Sequence, residues 1–86
     1  MAVIYHPKSA EITLSTANTV ADGYFIRLVE NNSNSSLITL KDSGANTIGS
    51  FTLQKNTEVI VKKRPSDTLE ANSLGVVLAS SVGVTI

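Results

Sequence analysis

Along most of this 86-residue chain apolar and polar side chains alternate with a period of two, the repeat of a half-buried β-strand. In Glu11-Ile12-Thr13-Leu14-Ser15 the pattern puts Ile12 and Leu14 on one face. Residues 24–30 carry the strongest strand signal, with Tyr24, Ile26 and Leu28 on one side and Phe25, Arg27 and Val29 on the other. Apolar groups on both sides predict a central strand covered on both faces. Further strands are predicted over 37–41, over 47–54 with Phe51 and Leu53 buried, and over 57–63 through Val59 and Val61. A short strand or bend is expected over 68–72.

The closing run, 74–86, is two-sided. Leu74, Val76, Leu78, Val82, Val84 and Ile86 share a large face, expected in the core, while Gly75, Val77, Ala79, Ser81, Gly83 and Thr85 form a small face open to close approach. A strand of that length predicts a bend near Ser80-Ser81 or Gly83. Ile12-Thr13-Leu14, Ile38-Thr39-Leu40 and Phe51-Thr52-Leu53 share a template, but apolar-Thr-apolar is the common signature of any half-buried strand.

Between the strands lie turn residues. Asp22-Gly23 ends the loop over 18–23, Asn31 to Ser36 is a polar loop, and Asp42-Ser43-Gly44-Ala45-Asn46 has the length of a hairpin connection. Lys55-Asn56 is a turn, and in Arg64-Pro65-Ser66-Asp67 the proline pre-sets φ while Asp67 is placed to accept backbone N–H groups. Helical periodicity fits nowhere beyond a single turn over 69–74. The expectation is therefore one all-β domain over 1–86, an antiparallel sandwich or flattened barrel of seven to eight short strands. Residues 1–9, with Pro7 after His6, read as an extended N-terminal arm.

Composition sharpens this picture. Ser, Thr and Asn make up 27 of the residues, and Val, Ile and Thr make up 25, as a β chain with polar turns requires. Tyr5, Tyr24, Phe25 and Phe51 are the whole aromatic set, so the core is aliphatic. A domain of this size buries only ~60–65% of the surface its unfolded chain exposes. With no disulfide or metal to supplement the core, oligomerisation is the expected support. Seven basic and seven acidic residues leave no net charge, which argues against nucleic acid as a partner, and the interleaved aromatics of a stacking platform are missing as well. The apolar stretch over 74–86 is interrupted by Gly75, Ser80, Ser81 and Gly83 and falls short of the ~20 residues of a spanning helix. Residues 1–6 lack the basic and apolar regions of a secretory signal, which predicts synthesis in the cytoplasm.

Catalytic chemistry finds little to use. There is no Cys, so thiolate nucleophiles and thiolate metal sites are excluded, and one His, His6, predicts no His-based metal site or triad. The glycines are scattered rather than gathered into a phosphate loop. The carboxylates stand singly, and Asp22, Asp42 and Asp67 are better suited to serving turn backbone than to meeting around a cation. No cofactor is expected, and the chain reads as a non-enzyme. Arg27 shares a face with Phe25 and Val29: either it lies over apolar surface with its guanidinium at the rim, or it is a partly buried partner for Glu58 or Glu30. Lys62-Lys63-Arg64 is the one cationic cluster: either an anchor for an acidic partner surface or a solvated strand end that discourages edge pairing.

The run from Ile12 to Val20, then Phe25-Ile26-Arg27-Leu28-Val29-Glu30-Asn31, Phe51-Thr52-Leu53, Val59-Ile60-Val61-Lys62-Lys63 and Pro65-Ser66-Asp67-Thr68-Leu69, resembles small structural proteins of tailed phages of marine bacteria and cyanobacteria. The likeness spans about residues 11–72. It implies a small β-sandwich located in the virion, a capsid decoration or cement protein bound to the major capsid protein as a homo-oligomer, with a trimer favoured. The contacts expected on that reading are Lys62, Lys63 and Arg64 against the capsid, Tyr5, His6 and Pro7 as an arm, and Val77 and Ala79 between subunits. A tail, neck or fibre component is the first alternative. A carbohydrate-binding module is the second, weakened by the shortage of exposed aromatics.

Overall fold

The computed structural model describes residues 4–31, 34–72 and 76–85; the side chains of Ile4, Tyr5 and Thr85 lie outside that description. Eight strands run in chain order: β1 (Ile4–Pro7), β2 (Ile12–Leu14), β3 (Phe25–Glu30), β4 (Ser36–Lys41), β5 (Thr47–Leu53), β6 (Glu58–Lys62), β7 (Thr68–Ala71) and β8 (Val77–Thr85). They form two antiparallel sheets, one of five strands and one of three, packed as a sandwich rather than closed as a barrel. The helical turn open over 69–74 is strand through Ala71; Ser73 and Leu74 lie outside the described residues.

In the larger sheet β8 is flanked by β3 on one side and by β1 and β2 together on the other. β2 pairs with residues 77–79 and β1 with 82–85, so the N-terminal segment follows β8 for its full length. Between them, opposite Ser81, Lys8 donates its N–H to the Ser81 carbonyl at 2.9 Å and the Ser9 hydroxyl accepts the Ser81 N–H at 2.9 Å. Residues 4–14 are thus bound to the sheet, and the extended arm expected over 1–9 runs along β8 as a strand over Ile4–Pro7. The backbone hydrogen bonds that a buried β8 needs come from this segment, which is why it cannot hang free.

The core joins Leu14, Ile26, Leu28, Val77 and Ala79 of the larger sheet to Ile38, Leu53, Leu69 and Ala71 of the smaller, with Val20 closing one end. Val77 and Ala79, expected between subunits, are 1% and 0% exposed inside the domain and offer no surface to a second copy. The cross-strand register gives the reason. Leu28 lies opposite Ala79 and Ile26 opposite Ser81, so large side chains of β3 are accommodated by small ones of β8 within one core layer. The large side chain Leu78 consequently turns to the outer face, where it is half-buried.

Two further expectations shift. β3 is central, but its outer side chains Phe25, Arg27 and Val29 are only half-buried, so one face rather than both is enclosed. On β5 Leu53 is buried, whereas Phe51 remains 36% exposed.

The link from β2 to β3 holds three of the five non-glycine residues with positive φ among the described residues. Val20, Ala21 and Asp22 take φ of 52°, 57° and 53° in succession, one turn of left-handed backbone that non-glycine residues adopt only under constraint. The Val20 side chain is buried, the Asn18 side-chain carbonyl accepts the Val20 N–H at 2.7 Å, and the Gly23 N–H reaches the Val20 carbonyl at 3.3 Å. Gly23 then passes so close to β8 that a Cβ there would overlap the Ser81 side chain and the end of Ile26. A mutual pair of backbone hydrogen bonds between Asn18 and Leu69, 3.0 and 2.9 Å, ties this link to β7 and closes one side of the sandwich.

Candidate functional site

The cationic cluster predicted from sequence sits where β6 leaves the larger sheet. On β6 the side chains alternate, Glu58, Ile60 and Lys62 outward and Val59 and Val61 toward the core. One residue further, Lys63 N–H donates to the Tyr24 carbonyl at 2.8 Å and prolongs the ladder, so its side chain falls on the core side. Lys63 is therefore 4% exposed, and its ammonium donates to the carbonyls of Arg64 and Pro65, each at 3.2 Å. Loss of hydration holds its pKa below the usual lysine value, with Asp67 and Asp22 pulling the other way. Of the three cations expected to face a capsid, Lys62 and Arg64 are exposed and Lys63 is not.

The turn after them forms as its residues dictate. Asp67 N–H donates to the Arg64 carbonyl at 3.0 Å around Pro65, and Asp67 Oδ2 accepts the Arg64 backbone N–H at 3.3 Å and its Nε–H at 3.1 Å. The Arg64 guanidinium keeps the Asp67 carboxyl below the ordinary aspartate range, and the same contact raises Arg64. Asp67 is itself buried, with Oδ1 left without a hydrogen-bond partner. Asp42, across the hairpin, turns its Oδ1 to the N–H groups of Gly44 and Asn46, both at 2.9 Å, and is held low mainly by that Asn46 bond. Asp42 and Asp67 thus serve turn backbone, while Asp22 enters through its charge near Lys63.

These residues frame a shallow depression of about 390 Å3 whose apolar walls are Tyr24, Leu40 and Ile48 and whose rim carries Lys62 and Arg64. Tyr24 is 60% and Ile48 51% exposed, and they share this depression. Tyr24 also borders a larger groove of about 550 Å3, between the left-handed link and residues 81–84 of β8, with Lys8 at its edge. The corner has an apolar floor, a cationic rim, and a turn held from beneath by the hydrogen bonds of Lys63 and Asp67.

The other expected contacts lie elsewhere. His6 and Pro7 are exposed on β1, at the opposite edge of the larger sheet from β6, so they do not join the cationic corner in one surface; the side chain of Tyr5 is outside the described residues. Arg27 meets Glu58 at 2.7 Å and Glu11 at 3.6 Å on the outer face of the larger sheet. Glu30, its other candidate partner, points into the opposite face and is 1% exposed, its Oε2 accepting the Val76 N–H at 2.9 Å. Period-two alternation carries that information, since residues 27 and 30 cannot share a face of one strand. Tyr24, Leu40 and Ile48 were missed as neighbours because they come from three separate segments.

Among the described residues no three His, Asp or Glu side chains gather as a metal site, and no helix is long and apolar enough to cross a membrane. No family model, no curated protein and no solved structure matches the chain.

Proposed function

We propose that this chain is a non-enzymatic structural protein of a virion, most simply a decoration or cement protein that binds the major capsid protein and braces the head. The carrying observation is the exposed apolar pair Tyr24 and Ile48 set beside the exposed cations Lys62 and Arg64 on a rigid corner. An apolar centre with a charged rim is how protein contacts are built, the centre supplying affinity and the rim orientation. The phage likeness over residues 11–72 supplies the virion. A lattice supplies the rest: many copies of a modest contact, repeated across a shell, hold far more strongly than one.

The test is co-sedimentation of the purified protein with heads that lack it, and detection of the protein in purified particles. Tyr24→Ala should weaken binding by about tenfold, near 1.4 kcal/mol. Lys62→Glu should weaken it most at low salt. A protein absent from particles would overturn the reading, and density at a tail or neck would move it there.

A further inference from the structure

Exposed sheet edges are normally blunted by charge, proline or cover. In this sandwich β6 carries Glu58 and Lys62, β1 ends at Pro7 and is followed by Lys8, and β7 is bridged by Asn18 and carries Glu70, ion-paired to Lys41 at 2.7 Å. β5 has none of these. Thr47-Ile48-Gly49-Ser50-Phe51-Thr52-Leu53 contains no charge and no proline, forms the outer edge of the smaller sheet, and is exposed at every residue up to Thr52. Its one irregularity is a register shift opposite Leu40/Lys41, beside Ile48.

The direction of its free hydrogen-bonding groups follows from β4. Leu37 donates its N–H to the Asn72 side-chain oxygen at 3.1 Å and accepts the Asn72 N–H at 3.2 Å, so it faces β7. Ile38 and Leu40 therefore face β5, where their partners are Phe51 and Gly49. By the same alternation Ser50 and Thr52 turn N–H and C=O to the side where no described strand pairs with them.

We propose that β5 is the pairing edge of a two-fold dimer of this chain, two copies joining antiparallel with Ser50 opposite Ser50 of the second copy. In that register Gly49 of each copy faces Phe51 of the other in a non-hydrogen-bonded pair, where side chains approach most closely. The surfaces are complementary: Phe51 stands 36% exposed, and nothing lies within 4 Å of where a Gly49 Cβ would be. An aromatic ring laid over a glycine of the neighbouring strand fills that space, twice by symmetry. No like charges oppose, because the strand has no charges. A two-fold edge gives an even number of copies, in place of the trimer implied by the phage likeness. The pairing deepens the contact-protein reading and rests on it only for its role in assembly.

Ser50 is exposed and sits on the proposed axis, so its variants test the pairing without touching the core. Sedimentation equilibrium up to about 1 mM, the limit for a weak contact, should give twice the 9.1 kDa chain mass. Ser50→Lys and Ser50→Glu, each checked by circular dichroism to be folded, should each raise the dissociation constant at least tenfold. Mixed together they should associate again, because the axis would then set Lys against Glu. A wild-type monomer, a three-copy mass, single variants that associate like wild type, or a mixture that stays apart would each overturn the pairing. A monomer that still binds particles would leave the decoration reading intact; a dimer absent from particles would do the reverse.

Discussion

In the larger sheet β3 and β8 lie between neighbours, and the side chains they turn inward are sealed: Ile26, Leu28 and Ala79 are 0% exposed. In the smaller sheet β5 has a neighbour on one side, and of its seven residues only Leu53 is buried. All three strands are apolar and β-branched enough to pair, so composition does not separate them. Position does. A strand with partners on two sides and a sheet above it stabilises the monomer, whereas an edge strand outside the overlap keeps its apolar groups available for something else.

Core truncation should separate the two regions most. Leu28→Ala should cost about 2–5 kcal/mol in denaturant unfolding, while Ile48→Ala stays within about 1 kcal/mol. Similar losses at the two sites would erase the distinction. Glycine substitution makes the same contrast on a smaller scale. Gly23→Ala meets Ser81 and Ile26 and should destabilise by about 1–3 kcal/mol, whereas Gly49→Ala enters open space and should stabilise the monomer by up to about 1 kcal/mol. At the link into β3, Ala21 is exposed at a φ of 57°. Ala21→Gly should therefore stabilise the fold by roughly 0.5–1 kcal/mol of relieved backbone, read as a higher melting temperature.

The turn that carries the chain from β6 in the larger sheet to β7 in the smaller should respond to acid. Asp67 is held below its ordinary value of 3.8 in the fold, so the stability it contributes is present above that pH and lost as the pH falls through its lower folded value. Asp67→Asn should flatten the acid limb of the stability profile, and an unchanged limb would show that the Arg64 contact does not couple to folding. The smallest effect belongs to the solvated outer face: a double-mutant cycle on Arg27 and Glu58 should give at most about 1 kcal/mol, falling with salt.

Much of this was legible in the chain. Alternation located β2 through β7 and the hairpin at Asp42, and Arg64-Pro65-Ser66-Asp67 forms the turn its residues encode. The cationic corner was half legible. Lys62 and Arg64 are exposed, but the same alternation, carried one residue past Val61, already places Lys63 inside. Over 77–79 the faces of β8 were misassigned, although Val82 of the expected core face is buried, because a run with apolar residues on both sides does not say which side meets the core.

Local pattern by itself determined that this is a β chain, where it turns and which side chains share a face, because strand periodicity and turn chemistry act over a few residues. Only the tertiary structure decided that Val77 and Ala79 face inward, that residues 4–14 bind β8, that Tyr24, Leu40 and Ile48 meet beside the cations, and that β5 is left as an open edge. Those outcomes depend on which strands pair and how far two sheets overlap. They are fixed by contacts between residues remote in sequence, where volume and unsatisfied hydrogen bonds, not periodicity, select among arrangements.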